Sequence, residues 1–287
     1  MPKFKRTKFK YLVAASIVLH ALAASAEPAR PAKLPSVMPA EAPTPEDPDY
    51  INPDRPGIAD GPNVVGPGRV QIETGVQIEY HKNSTGRQHL FFVPALLRIG
   101  LDKKWEVRVE GNTYARLHSL DVEGEKRSEG IAPTSIGVKY HFTDSSGPAH
   151  PALAAIVRAF PPSGSRDFKT THATGDVRLV ANWDFAPRLS LTPNVGIARY
   201  EGDNGETFTA GLFASTLTFG LSKTFSMFVD SGIQTPEAKH GRASVIFDTG
   251  IAFILGSNTQ LDLSVGTGAT GLTTPRPFIS VGISHRL

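Results

Sequence analysis

Charged residues in this 287-residue chain recur inside stretches where every second side chain is apolar. Glu73, Glu79, Glu106, Arg108, Glu110, Arg116, Lys139, Arg178, Asp184, Asp230, Asp248, Asp262 and Arg286 all occupy such stretches, and Arg55 precedes the first of them. Successive side chains of a β-strand point to opposite faces, so each stretch carries an ionic face and an apolar face. On the inner wall of a barrel, opposed charges can do one of two things. They can ring a narrow aqueous pore and select what passes, or pair across the lumen and satisfy one another in a plugged barrel. Residue types alone leave both open.

Catalytic chemistry finds little support. His81, His89, His118, His141, His150, His172, His240 and His285 are scattered without the His-x-x-x-His spacing of a metal site. Several Ser and His pairs could be drawn together, but no triad signature favours one. Gly266-Thr-Gly268 lacks the strand-to-helix setting of a phosphate loop. Basic and aromatic residues are not interleaved as a nucleic-acid surface requires. The expectation is therefore no enzyme, no cofactor, no metal and no nucleic-acid partner.

The elements that hold the charges follow from the same alternation. Val70, Ile72, Thr74, Val76, Ile78 and Tyr80 alternate with Gln71, Glu73, Gly75, Gln77 and Glu79, and Trp105, Val107 and Val109 with Glu106, Arg108 and Glu110. Segments of about ten residues are what a tilted membrane strand needs. Twelve strands are predicted, roughly at 69–80, 88–100, 104–117, 133–142, 151–161, 175–186, 188–200, 207–221, 224–234, 242–255, 258–268 and 277–287. The connections after even-numbered strands are mostly brief, as at Pro187, Ser222-Lys223 and Gly256-Ser257. Those after odd-numbered strands are longer and polar, including His118–Ala132 and Pro162–Thr174. Thr143–His150 is longer than this rule expects. Pro94 and Pro193 fall inside predicted strands, where a missing ladder donor predicts a bulge at each. The last strand puts Ile279, Val281, Ile283 and Leu287 on one face and Phe278, Ser280, Gly282, Ser284 and Arg286 on the other. A strand running to the final residue suits a closed membrane barrel, which has no edge in lipid. A soluble barrel would carry the same alternation inverted in space.

The N-terminus favours the membrane. Lys3, Lys5, Arg6, Lys8 and Lys10, an apolar run from Tyr11 to Ala23, and Ala24-Ser25-Ala26 read as a signal peptide cleaved after Ala26. That run is shorter than the ~20 residues of a spanning helix, and no later run reaches that length. Removing residues 1–26 takes five bases and leaves 25 basic against 27 acidic residues, so the overall +3 charge says nothing of nucleic acid. The absence of cysteine excludes disulfides and an N-terminal lipid anchor. Residues 27–53 form a proline-punctuated periplasmic linker, 54–68 a lead-in segment at the periplasmic mouth, and 69–287 the barrel.

Certain motifs add a family likeness. Asp54-Arg55-Pro56 followed by Gly68-Arg69-Val-Gln71-Ile-Glu73-Thr-Gly75, Pro94-Ala-Leu-Leu-Arg98-Ile-Gly100 running into Trp105-Glu106-Val-Arg108, and Ser135-Ile-Gly137-Val-Lys139-Tyr occur in order. With Gln260-Leu-Asp262-Leu and the closing Val281-Gly282-Ile-Ser-His-Arg286-Leu287, the chain from about residue 52 onward resembles bacterial outer-membrane barrels named for the meta-pathway of phenol degradation. It departs in ending on Leu287 rather than an aromatic residue, in His285 where Tyr is common, and in the proline-rich insert. The resemblance implies an outer-membrane location and a transporter role, without naming a solute.

The expected protein is thus an all-β, closed antiparallel transmembrane barrel, partnered by outer-membrane lipid and, through its C-terminal strand, by the barrel-assembly machinery. Its expected function is passage of small solutes, with hydrophobic or aromatic ones as candidates. A non-conducting structural or adhesive barrel is the alternative, and a soluble secreted binder a third. Two expectations concern the lumen. Arg55 pairs with Glu73 or Asp262 and fastens residues 54–68, the alternative being a solvated turn worth under ~1 kcal/mol. The apolar inner face of strand two (Leu90, Phe92, Leu96) is a docking floor for that segment, the alternative being a greasy path for a hydrophobic solute.

Overall fold

The computed structural model describes residues 50–82, 86–121, 124–202, 204–271 and 274–287. The expected signal peptide and most of the expected proline-rich linker lie outside the described residues. Among the described residues thirteen strands form one antiparallel sheet: β1 (Val70–Lys82), β2 (Gly86–Gly100), β3 (Trp105–Asp121), β4 (Gly124–Gly130), β5 (Thr134–Thr143), β6 (Ala152–Phe160), β7 (Thr174–Ala186), β8 (Leu189–Glu201), β9 (Thr207–Gly220), β10 (Phe225–Thr235), β11 (Ser244–Leu255), β12 (Thr259–Thr270) and β13 (Phe278–Arg286). Consecutive strands pair with one another except β4 and β5, which both pair with β3, and β1 pairs with β13 from Gln71 opposite Arg286 to Glu79 opposite Phe278. That last pairing closes the barrel and removes both edges.

The extra strand is a correction. The expected long loop 118–132 is largely strand: β4 pairs with the far half of β3, and β5 with its near half. β4 and β5 therefore occupy one barrel position, giving twelve, interrupted at Ile131-Ala132-Pro133. Ser165 fills the break, its Oγ accepting the Ile131 N–H at 2.7 Å while its own N–H donates to the Ile131 carbonyl at 2.9 Å.

The apolar faces point outward. Ile136, Leu179 and Ile197 are 58, 57 and 56% exposed, whereas Arg98, Lys139 and Asp230 are fully buried. An apolar exterior around a charged interior is stable only where the surroundings are themselves apolar, so the alternation runs in the membrane sense. Exposed aromatics mark the band's limits: Trp105, Phe142, Phe185, Phe219 and Phe253 near the short-turn end, and Tyr80 near the long-loop end. On β3 the nine-residue climb from Trp105 to Tyr114 corresponds to roughly 23 Å at the usual rise and tilt, close to the ~25 Å apolar band of such barrels.

Of the two expected bulges, one forms. Thr113 is extra on β3 between the pairs Val93–Tyr114 and Pro94–Asn112, so Pro94 is accommodated by a register shift. Pro193 makes no bulge. Val180 pairs with Asn194 and Trp183 with Leu191 in unchanged register, and the ladder simply lacks the pairs between them.

Candidate functional site: a plugged lumen

From Tyr50 the chain enters the barrel at the short-turn end. The Ile51 N–H donates to the Ser257 carbonyl at 2.7 Å, and Arg286 donates to the Tyr50 carbonyl at 3.2 Å. The segment crosses the lumen and returns to the same end, where the Gly68 N–H meets the Gly100 carbonyl at 2.9 Å before β1 begins. Between these points it hydrogen-bonds side chains all round the wall. Three strand glycines make room for it. Gly75 and Gly282 face each other across β1 and β13, and a Cβ on Gly282 would collide with the Arg55 guanidinium. A Cβ on Gly100 would strike the Gly66 carbonyl on the return leg.

Asp54 is the centre of the fastening. Its carboxylate accepts from Lys139 Nζ at 2.9 Å and from Arg108, with Arg98 at 3.7 Å. Burial pushes the Asp54 carboxyl up, but Arg98, Lys139 and Arg108 outweigh it and hold the group well below its usual 3.8. Asp60, at the far turn of the segment, bonds Arg108 at 2.9 Å and Arg178 at 3.1 Å, and exchanges backbone bonds with Asn194. Its carboxyl too is lowered, because Arg108 and Arg178 overcome burial and the repulsion of Asp54. Arg55 bonds Asp262 at 2.8 Å and Ser280 at 3.0 Å, and its own backbone N–H donates to Glu73 at 2.8 Å. Behind this layer Arg98 joins Glu73 at 2.9 Å to Glu106 at 2.8 Å, and also holds the Asn52 and Asn63 carbonyls.

The network makes Arg98 the costliest cation to lose. Arg98→Met leaves Glu73 and Glu106 buried with fewer partners, which is expected to cost about 3–5 kcal/mol. The midpoint of heat or urea unfolding, followed by the gel shift between folded and unfolded barrel, measures it. A shift within the range of surface substitutions would contradict the assignment.

The candidate residues read from sequence, Arg116 apart, fall into four groups. Arg55, Glu73, Arg108, Lys139, Arg178 and Asp262 meet on the segment. Glu110 lies above them, bonded to Arg158, which also grips Asp176 at 2.9 Å. Asp230 and Asp248 face each other across β10 and β11, and Asp230 accepts the Ile58 N–H at 2.8 Å. Asp184 and Arg286 lie on the inner face at the short-turn end, away from the network; Arg286 ties down Asn258 at 2.7 Å.

Two expectations are overturned. Arg116 is exposed on the outer face, its guanidinium 5.8 Å from the Phe91 ring, because the Thr113 bulge flips the phase of β3 beyond it. Leu90 and Phe92 do not form the floor for residues 54–68. They pack with Ala115, Leu117 and Phe168, and Phe168 comes from the β6–β7 connection, which folds back over the long-loop mouth. Arg98, Arg158, Asp176 and Asp60 escaped the sequence reading. The strand faces could have found two of them: Arg98 shares the parity of Leu96, and Arg158 is the only charge in β6.

Between the segment and the long-loop mouth lies a cavity of about 380 Å³. Its floor is Pro56-Gly57-Ile58; Leu96, Phe160, Phe168 and Phe278 supply apolar wall, and Glu110, Arg158 and Glu79 polar wall.

A closed barrel with an apolar exterior and an ion-paired segment filling its lumen is an outer-membrane β-barrel. Residues 53–287 match the family described as "Putative MetA-pathway of phenol degradation", and the chain belongs to that family. No curated protein matches the sequence. Among solved structures, the COG4313 outer membrane channel from Pseudomonas putida F1 shares the fold with a TM-score of 0.62 at 9% identity, over 83% of this chain and all of that one. The KdgM porin aligns over 75% of this chain and 98% of its own with a TM-score of 0.48 at 10% identity.

Proposed function

We propose that the barrel is a passive channel for small solutes, closed by residues 51–66 and opened when that segment leaves the lumen. By the usual orientation of such barrels, the short turns and the segment's entry face the periplasm and the long loops face outward. One observation carries the reading: the segment is held by hydrogen bonds and ion pairs to the wall and adds no strand to the sheet, so it can leave without breaking the barrel. The half-apolar cavity above it suits a small hydrophobic or aromatic solute that has one polar group.

Acidity supplies the test. A carboxyl whose docked pKa is lowered favours docking above its undocked pKa, near 3.8 for Asp54 and Asp60, and loses that contribution as pH falls through the lowered value. Protonation would leave Arg98, Arg108 and Lys139 facing only the wall carboxylates, including Glu73 and Glu106. In planar bilayers the native protein is expected to open rarely at pH 7 and increasingly often as pH falls from about 4 through the lowered values. A barrel that is assembled yet silent at every pH, with and without the segment, would retire the channel reading in favour of a structural barrel.

A further inference from the structure

At the long-loop end, the outer faces of β1, β2 and β3 and the turn before β13 gather exposed basic side chains. Lys82 on β1 and Arg87 on β2 stand directly opposite in register. Arg116 on β3 lies across from Phe91 of β2. Arg276, just before β13, donates its backbone N–H to the Tyr80 carbonyl, which brings it beside β1, and its guanidinium makes two long bonds to the Ala269 and Gly271 carbonyls at 3.4 and 3.3 Å. Among the described residues none of these four pairs with a carboxylate, whereas neighbouring Arg127 and His118 are engaged by Glu125. Glu79 and Glu110 face inward and do not neutralise them. Elsewhere at this end exposed bases also occur, Arg199 on β8 and Arg166, Lys169, Lys239 and Arg242 in the connections. Among the exposed Lys and Arg residues of this end, the strand registers set only Lys82 and Arg87 directly opposite each other.

Like charges set opposite one another on adjacent strands are destabilising unless an anion lies between them. The position identifies the anion. Tyr80, Phe91 and Tyr114 mark the upper limit of the apolar band, and Arg116 stands two residues, about 5 Å, beyond Tyr114. Long basic side chains just above an aromatic girdle lie at the depth of lipid headgroups, with their stems still on apolar surface. Arginine is suited to phosphate by its planar donor fork. We propose that Lys82, Arg87, Arg116 and Arg276 form a binding site for phosphate groups on lipids of the outer leaflet. The site rests on the membrane orientation given above. It is independent of the lumen.

The experiment uses the full-length protein in detergent micelles, native mass spectrometry, and lipid A in its bisphosphorylated and dephosphorylated forms. The native protein is expected to retain the bisphosphorylated lipid at least about tenfold better, and the variant combining Lys82→Gln, Arg87→Gln and Arg116→Gln to lose that preference. The variant's heat-modifiable gel mobility reports assembly; if it does not assemble, Arg116→Gln alone is compared, with a partial loss expected. Equal retention of both lipids, or a preference unchanged by the substitutions, overturns the proposal. So does displacement of the lipid by millimolar inorganic phosphate, which would mark a simple anion site. Conductance of the assembled variant is expected to match the native protein, so a failed lipid site leaves the channel reading standing.

Discussion

Deleting residues 54–66 is expected to raise single-channel conductance several-fold in planar bilayers, with the barrel still assembled. A twelve-stranded barrel is wider than the eight-stranded kind that its own side chains fill, so most of the obstruction here is the segment itself. The deletion removes Asp54 and Asp60 but none of the cations they hold: Arg108, Lys139 and Arg178 remain on the wall. The open lumen should therefore favour anions, visible as a shifted reversal potential in a salt gradient. Arg55→Ala should act more weakly. It breaks the bonds to Asp262 and Ser280 and leaves the Asp54 network intact, so openings should become more frequent without a larger conductance. Unchanged conductance in the assembled deletion variant would reduce the segment to a tether.

The second large effect lies on the outer wall. Leu179→Arg places a charge at mid-strand on the lipid face, between Ala155 and Val195, and is expected to cost roughly 2–4 kcal/mol or to block assembly. Val107→Arg should behave similarly. Asp184→Ala, on the inner face and outside the network, should assemble normally. Arg108 is no such neutral control, since it is buried among Asp54, Asp60 and Glu106. The comparison is made on unboiled gels, where only a closed barrel migrates fast. A tolerated Leu179→Arg beside a failed Asp184→Ala would turn the barrel inside out, with the apolar residues as its core.

What the sequence by itself determined was the alternation. Period-2 patterning lies within each strand, so Ile279, Val281 and Ile283 against Ser280, Gly282 and Ser284 sufficed to read the closing strand, and twelve barrel positions with them. The motif order carried the family for the same reason, being local. The fastening of Arg55 to Asp262 was legible in part, because a lead-in just before β1 cannot stray far from β12 and β13. Only the tertiary structure decided the rest. The phase of Arg116 depends on an extra residue in β3 that Pro94 of the neighbouring strand imposes, and a strand read alone carries no sign of it. Pro193, alike in sequence, is absorbed without a bulge. Phe168 covers Leu90 and Phe92 through a connection that sequence reads only as polar loop. Asp54 and Asp60 look like solvated turn residues until the closed wall surrounds them with Arg98, Arg108, Lys139 and Arg178. These cations come from four different strands, and only closure of the sheet brings them within reach of one segment.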